Sequence, residues 1–157
     1  MEIIIKVFLL ALFALVVFCR NAFPSALLYW AAYCVMFALV PALWASMFWV
    51  SKKKAAAVLG SQPEFDIFCA KVPADPADDF QRGRLCLSQG KIVLITKTKK
   101  GFEKTWSVDK EKITSVNFAN VAGRRCGFIL NYNGDSASFV CRTIDKHKEK
   151  FTGALGL

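Results

Sequence analysis

A chain of 157 residues with a formal net charge of +9 and 55% hydrophobic content leaves room for one compact soluble domain of ordinary size once its apolar stretches are set aside. Six cysteines without a C-x-x-C pair, together with a single histidine, exclude the usual zinc-site spacings. The basic surplus lies almost wholly after Val50, whereas the apolar residues crowd before it; anionic lipid, nucleic acid and acidic protein are the partner classes such a surface attracts.

Residues 3–19 are apolar except for Lys6, a short membrane span if Lys6 snorkels to the interface, since a bilayer core of roughly 30 Å takes about 20 helical residues. Residues 26–50 carry no charge and are long enough to cross with tilt. Tyr29 and Trp30 near one end and Trp44, Phe48 and Trp49 near the other suit aromatic anchoring, and Pro41 removes one backbone donor and predicts a bend. Ala38, Ala42 and Ser46, four apart, form a stripe of small residues that would let another helix approach. The first helix is the expected partner, a homo-oligomer is a second possibility, and the plain abundance of alanine in membrane helices is a third.

The connection Arg20-Asn21-Ala22-Phe23-Pro24-Ser25 is short enough for a helical hairpin spanning residues 1–54, with both ends on one side. Lys52, Lys53 and Lys54 form a juxtamembrane basic anchor of the kind that marks the cytoplasmic face. The expected product is an integral protein of the inner (cytoplasmic) membrane with both termini in the cytoplasm. A cleaved signal peptide is the alternative for the first segment; no A-x-A-like site follows, and Phe18 precedes Cys19 where a lipoprotein site has a small residue. Either way the second helix keeps the three lysines inside.

Residues 55–62 read as a linker, a helix continuation or short surface helix ending at Gly60, and 63–157 as the soluble domain. Phe65–Val72 is a candidate first strand, followed by a loop rich in Pro and Asp over 73–79. Alternating β-branched and aromatic runs then predict strands at 84–88, 91–97, 102–108, 113–118, 126–132 and 137–142. The turns between them include Gln89-Gly90 and Asn133-Gly134, the latter a strong hairpin signal. Alternation places Leu85, Leu87, Trp106, Val108, Val116, Phe118, Phe128, Leu130, Ala137 and Phe139 in the core, and the apolar run Ile92–Ile95 marks a central strand buried on both faces. A last helix, 143–155, starts at Thr143 as N-cap and carries Ile144, Phe151 and Leu155 on one face.

Three stretches carry a family likeness. Gly83-Arg84-Leu85-Cys86-Leu87-Ser88 running into Lys91-Ile92-Val93-Leu94 resembles the strand pair "G-x-L-x-L-(S/T), then basic-apolar" of the bacterial pleckstrin-homology-like and GRAM-like domains. Trp106-Ser107-Val108-Asp109 before Ile113-Thr114-Ser115-Val116 resembles their "W-x-I-P, then I-x-x-V", with Asp109 in place of proline. Gly127-Phe128 through Phe139 and the final helix complete the pattern. The resemblance covers 63–157 and implies an α+β fold: an antiparallel β-barrel of about seven strands capped by a C-terminal helix, carried by two N-terminal transmembrane helices. It implies no particular ligand.

Lys97, Lys99, Lys100 and Lys104 make the densest basic hairpin, a candidate contact for anionic lipid headgroups or an acidic partner; the plain alternative is that lysines guard a sheet edge. The loop that binds phosphoinositides in eukaryotic relatives is acidic here (Asp75, Asp78, Asp79). No basic patch has the interleaved aromatics of single-stranded nucleic-acid binding. His147 stands among lysines, and no nucleophile elbow, P-loop or carboxylate pair occurs, so the expectation is a non-enzymatic protein without cofactor or nucleic-acid partner. It would be either a membrane-anchored binding or scaffold module for a cytosolic or membrane protein or anionic lipid, or a structural subunit of a larger membrane complex.

Overall fold

A computed structural model describes residues 2–18 and 23–157, with side chains from residue 7 onward. The Lys6 side chain therefore lies outside what is described, as do Cys19 and the Arg20–Ala22 part of the hairpin connection. The chain divides into two compact units, Met1–Trp49 and Val50–Leu157.

The first unit holds α1 (Glu2–Phe18) and α2 (Ala26–Phe48). Ser25 caps α2, its hydroxyl accepting a bond from the Leu28 amide at 3.3 Å. Among the described residues one helix, within Ala26–Leu59, is long and apolar enough to cross a membrane, and Val7–Phe18 qualifies only as a shorter apolar helix. The two pack together with Val16 and Met36 buried and an apolar groove lined by Leu9, Phe13, Met36 and Val40. The first helix does not sit on the small-residue stripe. At 3.6 residues per turn Ala38 stands about 200° around the helix from Met36, and Ala38 and Ala42 are exposed. The Ser46 hydroxyl donates to the Leu43 carbonyl of its own helix at 2.7 Å.

The second unit is α+β. Its elements are α3 (Lys52–Leu59), β1 (Phe65–Lys71), β2 (Gln81–Ser88), β3 (Lys91–Thr98), β4 (Gly101–Asp109), β5 (Ile113–Val121), β6 (Arg125–Tyr132), β7 (Asp135–Val140) and α4 (Lys148–Leu155). The seven strands form one antiparallel sheet in the order β4-β3-β2-β1-β7-β6-β5. The Asn133-Gly134 and Gln89-Gly90 turns place both central residues at positive φ (48° and 84°; 52° and 69°), the geometry whose twist matches a two-residue hairpin.

The sheet curls until Trp106 on the edge strand β4 meets Phe139 of β7, ring centroids 5.2 Å apart, and Tyr132 of β6 at 5.8 Å. Phe128, Phe139 and Phe151 fill the centre, with Phe128 stacked on Phe139 at 5.1 Å and edge-on to Phe151 at 5.1 Å. Leu155 and Ile144 close the same core from the C-terminal end. Two strand glycines permit this packing: a Cβ on Gly83 would run into the Ile95 carbonyl, and one on Gly127 into the Phe139 carbonyl.

Two expectations are corrected. The C-terminal helix is not continuous from Thr143: residues Ile144–Lys146 form a 3-10 turn, α4 starts at Lys148, and Thr143 makes no side-chain cap bond. Its hydroxyl stands 3.8 Å from the Cys141 sulfur instead. The stretch 55–62, expected as a linker with a helix continuation or short surface helix ending at Gly60, does hold a helix ending there, α3, but it begins at Lys52 and is packed on the sheet. Ser51 caps it, and Val50 and Ala55 are fully buried against Cys86, Val93 and Ile95 on the outer face of the sheet, joined by Val58, Leu59 and Phe102. With α3 on one face and the main core on the other, Gly83–Ser88 of β2 is buried throughout, like Ile92–Thr96 of β3.

Candidate binding surface

A buried charge network fastens α3 to the sheet. The Arg84 side chain, 8% exposed, donates from Nε to the Val50 carbonyl at 2.8 Å and pairs through its guanidinium with the Asp66 carboxylate. Asp66 also receives Lys52 at 3.1 Å. One carboxylate thus neutralises a cation of β2 and a cation of α3, while the guanidinium satisfies a carbonyl that precedes the helix.

This docking brings together the two lysine groups that the sequence holds some 40 residues apart. In the β3–β4 ladder Lys97 pairs with Phe102 and Ile95 with Lys104, and directly opposed residues share a face. Because Ile95 and Phe102 belong to the cluster beneath α3, Lys97 and Lys104 stand on α3's side of the sheet. The Lys54 ammonium lies 5.8 Å from the centroid of the Phe102 ring, a cation–π contact. Lys99 and Lys100 occupy the exposed tip of the hairpin. The Thr98 hydroxyl accepts the Lys100 amide at 3.2 Å and donates to the Gly101 carbonyl at 3.3 Å, which orders that tip.

The arrangement is one basic face built on an aromatic ring, and Lys52 is partly committed inward through Asp66. Glu103, opposite Thr96, projects from the other face. Ala38, Ala42 and Ser46 belong to the other unit. What sequence reasoning missed is the Arg84–Asp66 pair that holds α3 in place. Its only signal was a charged residue of each sign inside an otherwise apolar strand pattern.

The three buried thiols, Cys69, Cys86 and Cys141, are poor nucleophile candidates. Burial pushes Cys86 up to about 12, with Asp66 adding to it; burial also raises Cys69, helped by nearby Cys141, and raises Cys141 itself, so each stays protonated at neutral pH. Asp109 ties Lys112 at 2.7 Å and Lys91 at 3.4 Å; those cations hold its carboxyl below the usual range, Lys112 foremost. Among the described residues no group of three His, Cys, Asp or Glu side chains could hold a metal ion.

No protein-family model matches the chain, and no curated protein sequence does. Among solved structures it is similar to the C-terminal domain of an unknown protein from Leishmania infantum, with a TM-score of 0.51 and 10% identity over 68% of this chain and 94% of that one, a likeness of fold alone. Autoinhibited Vav1 matches with a TM-score of 0.45 and 13% identity over 98% of this chain and 31% of that one. Vav1 with an allosteric inhibitor gives 0.44 and 11%, over 99% and 30%. The chain thus spans about a third of the Vav1 chains.

Proposed function

We propose that this chain is a membrane-anchored, non-enzymatic binding module. In this reading α1 and α2 are two transmembrane helices of an inner-membrane hairpin, and the sheet unit is a pleckstrin-homology-like barrel on the cytoplasmic side. Its ligand is an anionic lipid surface met by Lys53, Lys54, Lys97, Lys99, Lys100 and Lys104. The observation that carries it is the convergence of Lys54 on the Phe102 ring between Lys97 and Lys104. The strand order, the curl of the sheet and the C-terminal helix in the core support the fold assignment. A lysine near an anionic surface contributes about 1 kcal/mol, so the face can hold such a surface without any specific pocket.

The test is lysine acylation, read site by site by mass spectrometry, on the full chain in nanodiscs. Labelling of Lys97, Lys99, Lys100 and Lys104 is expected to be several-fold slower in discs containing anionic lipid than in zwitterionic discs. High salt should erase the difference, because screening shortens the reach of charge to about 3 Å at 1 M. Equal labelling in both discs sinks the lipid reading and leaves an acidic protein as the partner.

A second reading, a structural subunit of a larger membrane complex, is favoured by one observation: Ala38 and Ala42 are exposed on the face of α2 turned away from Met36, open to another helix. Ala38→Leu with Ala42→Leu is then expected to release partners from material extracted in mild detergent. Unchanged co-purification would exclude that face.

A further inference from the structure

The sheet ends in two edge strands of opposite character. β4 is guarded in the ways that discourage strand addition: it carries Glu103, Lys104 and Asp109, and its register with β3 shifts at Leu94/Ile95. At the other end β5 runs nine residues, Ile-Thr-Ser-Val-Asn-Phe-Ala-Asn-Val, without a charge, a proline or a glycine. Among the described residues its ladder is to β6 alone, and it is the last strand in the sheet order. The register shift between Ile113 and Ser115 leaves a regular edge from Ser115 to Val121. Thr114, Asn117, Ala119 and Asn120 are exposed, and Val116 and Phe118 only half-buried against the core.

The side-chain order of this edge is symmetric about Asn117. Reversed upon itself, it opposes Val116 to Phe118, Ser115 to Ala119 and Asn117 to Asn117, with Thr114 against Asn120 and Ile113 against Val121 at the ends. Each pairing sets apolar against apolar or small and polar against its like. A register centred on Phe118, a two-residue slip, keeps the faces but sets Val116 against Asn120 and Ser115 against Val121, and the one-residue slip between the two sets Asn117 against Phe118 and puts the apolar residues on opposite faces. Two copies related by a two-fold axis through Asn117 would present the same face of the sheet on the same side, so the half-buried Val116 and Phe118 of both copies would line one strip, with the Lys148 ammonium 5.4 Å from each Phe118 ring centroid. A two-fold contact requires a self-complementary patch of this kind.

We propose that β5 is a homodimerisation edge, on which a second copy of this chain adds its own β5 antiparallel, centred on Asn117. The surface is separate from the lysine face and from the helix stripe, so it holds or fails independently of the ligand proposed above. The decisive measurement is the protein mass of the full chain in mild detergent, by light scattering with the detergent contribution subtracted. Wild type is expected at twice the chain mass. Asn117→Lys alone and Asn117→Asp alone each place like charges against one another at the axis and are expected to halve that mass. An equimolar mixture of the two is expected to recover the dimer, because lysine then faces aspartate. Glu103→Lys, on the opposite edge, is expected to leave the mass at the wild-type value. A monomeric wild type, charged variants that keep the dimer mass, or a mixture that stays monomeric would each overturn the proposal.

Discussion

Phe128→Ala is expected to remove about 3–5 kcal/mol from the stability of the sheet unit, the usual range for deleting a buried aromatic side chain. Phe128 is fully buried and its ring contacts Phe118, Phe139 and Phe151, so β5, β7 and α4 all lose the same neighbour at once. Small domains are stable by about 5–15 kcal/mol, so the loss consumes a large share. Alkylation of Cys69 during urea titration of the full chain reads it well. That thiol is 2% exposed and raised by burial, hence unreactive until the sheet opens. The labelling midpoint should fall to clearly lower urea; an unchanged midpoint would mean that the three rings are not the centre of the core.

The second large effect lies at Arg84. Asp66→Ala leaves a guanidinium that is almost wholly enclosed without its carboxylate, and a broken buried pair costs about 3–5 kcal/mol. The Val50 carbonyl still accepts from Nε, which places the expected loss toward the lower end. Adding Arg84→Met to Asp66→Ala should restore much of the stability, because the methionine stem keeps the packing while no charge is stranded. The readout is alkylation of Cys86, which lies under α3 and is fully buried. A double variant as weak as the sum of the two singles would show that the pair acts through packing alone.

Much of this unit was legible in the sequence because strands announce themselves by period. All seven appear within a few residues of their expected places, and Leu85, Leu87, Val108, Phe128, Leu130, Ala137 and Phe139 are buried as alternation requires. Trp106, Val116 and Phe118 pack against that core while remaining partly exposed, since they sit on the two edge strands. Asn133-Gly134 turned as its chemistry dictates.

Elsewhere the signal was too local. In α3 only Ala55, Val58 and Leu59 mark an apolar face, and the three lysines before them look like a membrane flank rather than the first turn of a docked helix. Arg84 and Asp66 come together only through the β1–β2 register, which opposes Arg84 to Phe68 and Asp66 to Cys86, and no spacing rule reveals a diagonal pair across two strands. The merging of Lys54 with the hairpin lysines follows from that docking and was equally hidden. At the C-terminus, Ile144, Phe151 and Leu155 fit one continuous helix as well as they fit a 3-10 turn and a shorter helix, so the pattern fixed their burial without fixing the break at His147.

The position of α3 in the chain also bears on the order in which the protein is made. Domains emerge from the ribosome N-terminal end first, at about 5–20 residues per second. Residues 52–59 are therefore in place before β2 and β3 are synthesised, and Cys86, Val93 and Ile95 meet their helical cover as soon as they leave the exit tunnel. The inner surface of the same two strands has the opposite history. Leu85, Leu87, Ile92 and Leu94 share a core with Phe151 and Leu155, which are translated more than fifty residues later. The helical cover of one side of this hairpin is thus translated before the hairpin itself, whereas the other side, which meets Phe65 and Ile67 early, gains Phe151 and Leu155 only when α4 is made.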